Sequence, residues 1–358
     1  MQTATFNKQA GRQTYLDFLR AASMLAVVFL HSSAMQYNAS DISSKSFMMA
    51  NLYDSLVRWA VPVFVMISGA LFLDPQREIT VKNIFCKYIR RIIITFILWS
   101  AFYAIIYNRN FSTSTITSFV TGHYHFWYLY LIVGLYLCVP ILRKVTTDRK
   151  ITQYFLLLSL IFTFLIPTVL DIAQWILFPG NARVLNAISS VENIINHQMM
   201  VYLVLGYTPY FVLGYYLKKA KISKSMEYCI YVLGIIGWVA TFVLTMQASK
   251  NSGVKTDFYA YYYVNVLVES IAVYTFAKCR IGSVSANSLK KAVTFLSNQS
   301  FGVYLVHVIV LDAVYKYLPV SALPTPLVVP VTALLVSLIS IGISMVINRV
   351  KRAFHIKL

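Results

Sequence analysis

The stretch YLDFLRAASMLAVVFLH, from Tyr15 to His31, is apolar apart from a few polar side chains. A membrane-spanning helix needs about 20 largely apolar residues, and the apolar run around this stretch covers residues 14–36. Over the whole chain, 58% of the residues are hydrophobic and 12% are charged. A soluble domain carries about 25% charged residues, so this composition fits lipid rather than water as the solvent. The stretch therefore predicts the first transmembrane helix of a membrane protein.

Similar apolar stretches recur along the rest of the chain. They predict an all-α polytopic membrane protein with about ten transmembrane helices. We expect residues 1–358 to form one integral membrane domain, because no stretch between the spans is long enough for a separate soluble domain. The predicted spans are 14–36, 56–73, 89–107, 126–142, 151–170, 197–217, 228–246, 258–277, 300–317 and 327–347.

Lysine and arginine lie mostly in the segments on one side of these spans. The clusters at 87–91, 143–150, 218–224 and 278–291 all fall on that side, and the other side carries scattered cations. Cytoplasmic loops of membrane proteins are rich in Lys and Arg, so this pattern predicts that the N-terminus and the C-terminus are both cytoplasmic. The net charge of +19 is explained in the same way. Membrane lipid is therefore the expected partner, and nucleic acid is not.

The four cysteines, Cys86, Cys138, Cys229 and Cys279, are far apart and form no C-x-x-C pair. Widely spaced thiols in apolar stretches are typical of structural residues in helices. The cysteines thus predict neither a disulfide nor a metal site.

Three ionisable residues of the first span lie along one stripe of the helix. Arg20 and His31 are separated by about 1100° of helical rotation, within about 20° of alignment, and by about 16 Å along the axis. Asp17 is one turn before Arg20 on the same face. Ionisable groups inside a membrane are costly, which makes each of them a candidate for a functional site.

The stripe suggests a division of roles. Arg20 lies toward the cytoplasm, where it could hold a phosphate, and His31 lies deeper, where it could act as a general base. An extended pantetheine arm has a length comparable to their separation, so a thioester donor held near Arg20 could reach His31. The alternative is that Arg20 is a topology anchor and His31 a hydrogen bond between helices.

Other polar residues allow two interpretations each. Lys87, Arg90 and Arg91 begin the third span, either as a topology anchor or as a phosphate clamp for an anionic donor. His123 and His125 lie beside aromatic residues that could form a membrane belt or a sugar platform.

Glu269 lies within the eighth span, and Tyr304 and His307 share one face of the ninth. Each could pack between helices or contact a substrate. Asp54 and Arg58 have the i, i+4 spacing of an ion pair on a helix.

At these residues the sequence resembles the acyltransferase-3 family of integral membrane O-acyltransferases. The signature of that family is an Arg, ten residues and a His, which Arg20 and His31 match. Further blocks similar to the family's follow in order over nearly the whole chain. They are VPVFVMISGALF from Val61, KYIRRIII from Lys87, HFWYLYLIVGLYL from His125, YFVLGYYL from Tyr210 and SFGVYLVH from Ser300.

The resemblance implies acyl-CoA as the donor on the cytoplasmic side and a glycan or other hydroxyl as the acceptor. The most similar branch is the bacterial one that includes the enterobacterial common antigen O-acetyltransferase. By motif, the family's essential His falls on His31 and its Arg on Arg20.

Two features depart from the family pattern. The Arg-x-x-Arg pair at the third span is replaced, because aligning its second Arg to Arg91 puts Tyr88 first and aligning it to Arg90 puts Lys87 first. An acidic block found in other branches reads WYLYLIVGLYL here, so no catalytic carboxylate can be carried over.

We therefore expect an O-acyltransferase, transferring acetyl, in the inner (cytoplasmic) membrane of a bacterium, with no metal. The transfer could be direct or pass through an acyl-histidine. One alternative is a transporter or flippase for a lipid-linked glycan or small polar solute, and another is a non-catalytic partner in a polysaccharide assembly complex. The expected site residues are His31 and Asp17 for catalysis, Arg20, Lys87, Arg90 and Arg91 for the donor, and Glu269, Tyr304 and His307 for contact with substrate.

Overall fold

The structure is a computed structural model that describes residues 13–108, 113–282 and 287–353, and these residues form helices and no strand. The two chain termini therefore lie outside the described residues. Eight helical segments are long and apolar enough to cross a membrane. They are Thr14–Asn38, Lys45–Phe72, Val81–Tyr107, Thr113–Val145, Arg149–Leu177, Lys224–Ser252, Asn287–Tyr317 and Thr325–Ala353.

Three of these segments combine α-helix with π-helical or 3₁₀ turns, and further such turns lie outside the eight segments. The π-helical turns are Ile84–Ile89, Leu160–Leu165, Ala173–Leu177, Ile194–Gln198 and Ala277–Ile281. The 3₁₀ turns are Tyr124–Phe126, Tyr202–Val204, Asp257–Tyr259 and Val320–Ala322. The α-helices are α1 Thr14–Asn38, α2 Lys45–Val57, α3 Ala60–Phe72, α4 Val81–Asn83, α5 Arg90–Tyr107, α6 Thr113–Thr121, α7 Trp127–Val145, α8 Arg149–Ser159, α9 Ile166–Ile172, α10 Ala182–Asn193, α11 Thr208–Lys219, α12 Lys224–Ser252, α13 Val264–Phe276, α14 Asn287–Tyr317 and α15 Thr325–Ala353.

The prediction of a multi-pass helical membrane protein is confirmed, while the count of ten spans is not. The predicted spans at 197–217 and 258–277 correspond to α11 and α13, which have 12 and 13 residues. At 1.5 Å per residue α11 is about 18 Å long, shorter than the hydrocarbon core of about 30 Å, whereas α13 runs directly into the π-helical turn Ala277–Ile281. Irregular backbone precedes both helices.

The short helix α11 is held by a close crossing with α3. A Cβ placed on Gly214 would overlap the carbonyl oxygen of Met66, and one placed on Gly69 would overlap that of Phe211. Small residues let two membrane helices approach this closely. This close contact fixes α11 against α3.

The helices differ in how much of their surface the protein covers. The α2–α3 segment is 67% buried over its most apolar part, whereas the α12 segment is 22% buried. The exposed residues of α12 include large apolar ones, such as Val232, Ile235 and Ile236. Such an apolar surface fits contact with lipid, and α1, which packs against α2, α3, α14 and α15, lies at the centre.

Cations gather at one end of the helices, which we call the basic end. There Lys218 donates to the Asp74 carboxylate at 2.5 Å, and Arg143 donates to the carbonyls of Phe72 and Asp74 at 2.9 and 2.8 Å. Burial raises the pKa of Asp74, but hydrogen bonds from Lys218 and the backbone of Gln76 outweigh it, so the pKa lies below its usual value. The carboxylate is therefore charged and neutralises part of this end.

The crossing of α3 and α11 generates a prediction about folding. Gly214→Ala should lower the yield of folded protein, because the added methyl group meets backbone that cannot move aside. Overpacking of this kind costs roughly 1–3 kcal/mol. Gly134→Ala is the matched control, since Gly134 is also helical and has no atom within 4 Å of an added Cβ. The measurement is the monodisperse fraction after detergent extraction, and equal yields for the two variants would contradict the close crossing.

The uneven distribution of cations generates a prediction about sidedness. A reporter fused after Lys221, in the turn between α11 and α12, should report cytoplasm, and one fused after Lys250, near the end of α12, should report the opposite side. Paired alkaline phosphatase and green fluorescent protein fusions measure this. Phosphatase activity after Lys221 would show that the basic end faces outward.

Candidate functional site

A cavity of about 390 Å³ lies among α1, α3, α5, α7 and α14, and we call it the central cavity. Its walls are mostly apolar and include Val28, Phe64, Ile92 and Ile132. A mostly apolar cavity with a few convergent polar groups is typical of a ligand site. Its polar and ionisable lining residues include Arg20, Arg91, Tyr128, Tyr304, His31 and His307.

Arg20 is held at the basic end of the central cavity by hydrogen bonds to Asp17 and Ser297, which are also bonded to each other. Its guanidinium donates to the Asp17 carboxylate and to the Ser297 hydroxyl, each at 3.1 Å. Ser297 donates in turn to the same Asp17 oxygen at 2.9 Å. Asp17 thus lies behind Arg20 and orients it toward the cavity, and Ser297 joins α1 to α14.

His31 lies at the other end of the central cavity, beside a second histidine. The ring centroid of His31 is 5.1 Å from that of His307 on α14 and 5.8 Å from that of Tyr124. His31 and Arg20 therefore share one cavity, as their spacing on α1 suggests.

The proton of neutral His307 can be placed from its hydrogen bonds. Its Nδ1 lies 2.8 Å from the carbonyl oxygen of Tyr304 and 3.2 Å from that of Val303. A carbonyl oxygen can only accept, so Nδ1 carries the proton and Nε2 bears a lone pair. Nε2 is buried and has no hydrogen-bond partner in the structure, which leaves it available to accept a bond from a ligand or from His31.

Two further histidines extend this cluster. The ring of His125 is 5.4 Å from that of His307, and its Nδ1 is 2.8 Å from Nδ1 of His123. Tyr304 donates to the carbonyl of His125 at 2.8 Å, which fastens α14 to the turn that precedes α7. Within the described ranges, no group of three or more His, Cys, Asp or Glu side chains could hold a metal ion.

Asp54 and Arg58 form a buried ion pair next to α1. Ser33 donates to the Asp54 carboxylate at 3.0 Å, and the Arg58 guanidinium lies 4.1 Å from the ring centroid of Tyr259. Neither residue lines the central cavity, so the pair acts in packing α2 against α1.

The structure brings together five of the nine residues proposed from the sequence. Asp17 does not line the central cavity, but it accepts a hydrogen bond from Arg20, which does. Lys87 and Arg90 are exposed and do not line the central cavity. Glu269 is buried, accepts a hydrogen bond from Thr241 at 2.7 Å, and also lies outside it. The five that line the cavity are Arg20, His31, Arg91, Tyr304 and His307.

Sequence reasoning missed the contribution of α7. Tyr128, Ile132 and Tyr136 all line the central cavity, and Tyr128 and Tyr136 lie within electrostatic range of Arg20. Their i, i+4, i+8 spacing places them on one helix face, which was the available signal. His125 lines the cavity as well.

The fold and the site define a multi-pass membrane protein with an internal cavity that has arginines at one end and histidines at the other. The acyltransferase-3 family, described as an acyltransferase domain, matches residues 13–349, and the chain belongs to this family. It is therefore a membrane-embedded acyltransferase. Neither the curated proteins nor the solved structures contain a match to this chain.

The position of Glu269 generates a prediction about its role. Glu269→Gln should keep acyl transfer near the wild-type level, because the amide oxygen still accepts the Thr241 bond. Glu269→Leu should also leave the protein folded, since the Thr241 hydroxyl can still donate to the Gly237 carbonyl oxygen at 2.8 Å. Transfer is measured per folded protein. A large loss of activity in a well-folded Gln variant would instead place this carboxylate in substrate binding.

Proposed function

We propose that the protein transfers an acyl group, acetyl, from acyl-CoA to a hydroxyl of a cell-surface or lipid-linked glycan in the bacterial cytoplasmic membrane. One observation carries the proposal: a single cavity has Arg20 at one end and His31 at the other. The two residues are separated by about 16 Å along α1, a length that suits an extended pantetheine arm.

The donor is expected to enter from the basic end. Arg20 and Arg91 line the central cavity on that side, and guanidinium groups bind phosphates through paired, charge-assisted hydrogen bonds. Clusters of Lys and Arg favour the cytoplasmic face, where acyl-CoA is made. The apolar middle of the cavity would then hold the arm.

The acceptor is expected at the opposite end, beside His31. Trp127 lines the central cavity and is 39% exposed, and its ring lies 5.6 Å from that of Tyr207 and 6.2 Å from that of Tyr261. Aromatic rings with a polar tip offer both a flat apolar face and a hydrogen bond, which suits a sugar ring. This aromatic group is what supports a glycan over other hydroxyl acceptors.

In the proposed step, neutral His31 takes the proton of the acceptor hydroxyl. The oxygen attacks the thioester carbonyl, the new C–O bond forms, and the C–S bond breaks. The CoA thiolate leaves with the electron pair of that bond and takes the proton back from His31. His307 Nε2 accepts a hydrogen bond from the His31 ring or from the hydroxyl and so helps to position them.

The proposal predicts distinct effects for two substitutions of His31. His31→Gln should keep a hydrogen-bonding side chain and normal folding, yet lose roughly 10²–10⁴ in transfer rate because Gln cannot act as a general base. His31→Ala should lose activity to a similar extent. The measurement is labelled acetyl on isolated cell-envelope glycan, per amount of membrane protein.

His197→Gln is the matched control, because His197 is exposed and lies outside the central cavity. It should transfer acetyl at the wild-type rate. Near-normal transfer by His31→Gln would remove His31 from the chemistry and with it the proposed mechanism.

A further inference from the structure

A second cavity, of about 850 Å³, lies at the basic end beside α14 and α15, and we call it the basic pocket. Its lining includes three amide side chains, Asn298, Gln299 and Asn348, and no carboxylate. Its cations are Arg91, Arg349, Lys351 and Arg352.

These four cations differ from the cations of the protein that are paired with a carboxylate. Arg20, Arg58, Lys218 and Arg280 each lie beside a carboxylate that neutralises them. Within the described ranges, no Asp or Glu forms an ion pair with any cation of the basic pocket. Arg91 and Lys351 also repel each other electrostatically across the pocket. Converging like charges of this kind favour an anion between them.

The wall of the basic pocket is rigid. Gln299 accepts hydrogen bonds from Ser344 at 2.9 Å and from Asn348 at 2.8 Å, which joins α14 to α15. A Cβ on Gly302 would overlap the Ser344 side chain, so the two helices are in close contact. A fixed wall presents its polar groups without reordering when a ligand binds.

The basic pocket adjoins the central cavity. Arg91 and Phe301 line both of them. A ligand with a large anionic head in the basic pocket could therefore extend a narrow arm past Arg91 into the central cavity, toward Arg20 and His31. The basic pocket is the larger and more polar of the two spaces, and the central cavity is mostly apolar.

We propose that the basic pocket binds the nucleotide head of the acyl-CoA donor, with its cations on the 3′-phosphate and the diphosphate. This inference rests on the proposed function and adds the C-terminal end of α15 to the donor site. Phe295, which is 41% exposed at the pocket, offers a face on which adenine can stack. Arg91, at the junction, is placed to hold the diphosphate where the pantetheine arm begins.

Basic pockets between transmembrane helices also bind the phosphate headgroups of anionic lipids. The two sources share one chemistry, a phosphate ester, and differ in what else they carry. Nucleotide binding depends on the 3′-phosphate and persists in neutral lipid, whereas lipid binding requires anionic lipid and does not distinguish between nucleotides.

The test uses the full-length protein in phosphatidylcholine nanodiscs and measures binding of CoA and of 3′-dephospho-CoA by calorimetry. The wild type should bind CoA more tightly than 3′-dephospho-CoA. The double variant Lys351→Gln with Arg352→Gln should bind CoA about tenfold or more weakly, and should lose most of its preference for the 3′-phosphate, because charged hydrogen bonds are removed. Both residues lie at the end of α15, so folding should be unaffected, and elution profile checks this.

Lys291→Gln is the control, since Lys291 is an exposed cation of α14 outside both cavities. It should bind CoA as the wild type does. Equal CoA affinity in the double variant and the control, or equal affinity of the wild type for the two nucleotides, would overturn the inference. So would a variant effect that appears only when phosphatidylglycerol or cardiolipin replaces the neutral lipid, since that identifies a lipid headgroup site.

Binding is measured without turnover, so the two proposals can fail separately. If the wild type transfers acetyl and the double variant binds CoA normally, only the nucleotide site is wrong. If CoA binds in the basic pocket and no acetyl is transferred to glycan, the proposed reaction is wrong and the nucleotide site remains.

Discussion

The ion pair of Arg20 with Asp17 is the interaction on which the site depends, and Ser297 is hydrogen-bonded to both residues. An arginine within a membrane helix is costly unless it is paired, and Asp17 supplies the pair one turn away. Ser297 connects this pair to α14, so the charge also sets how α1 and α14 pack. The same two helices meet again at the rings of His31 and His307.

This double contact shows that α1 and α14 run in the same direction. The rise from Ser297 to His307 is about 15 Å, close to the rise of about 16 Å from Arg20 to His31. Two walls of the central cavity are therefore in register from the arginine end to the histidine end. The cavity has polar groups at both ends and apolar residues between them. The proposed donor would enter at the arginine end, and the proposed acceptor would lie at the histidine end.

Much of this could be predicted from the sequence because helical periodicity is local. The stripe of Asp17, Arg20 and His31 follows from residue spacing alone, and the structure places it as expected. The partners from distant segments, such as Ser297, could not be predicted, because their distance in sequence carries no information about packing. Apolar length also could not reveal that α11 is short. Hydropathy counts apolar residues and does not detect where the backbone leaves the helical conformation, as it does before α11.

The histidine cluster is consistent with a reaction that keeps its proton balance inside the protein. Charging a histidine at this depth is costly, so a base that had to release its proton to water would need a path out of the membrane. The proposed transfer needs none, because the proton that leaves the hydroxyl ends on the CoA thiol. His31 then carries a charge only while the thiolate forms beside it, and the opposite charge of that thiolate lowers the cost.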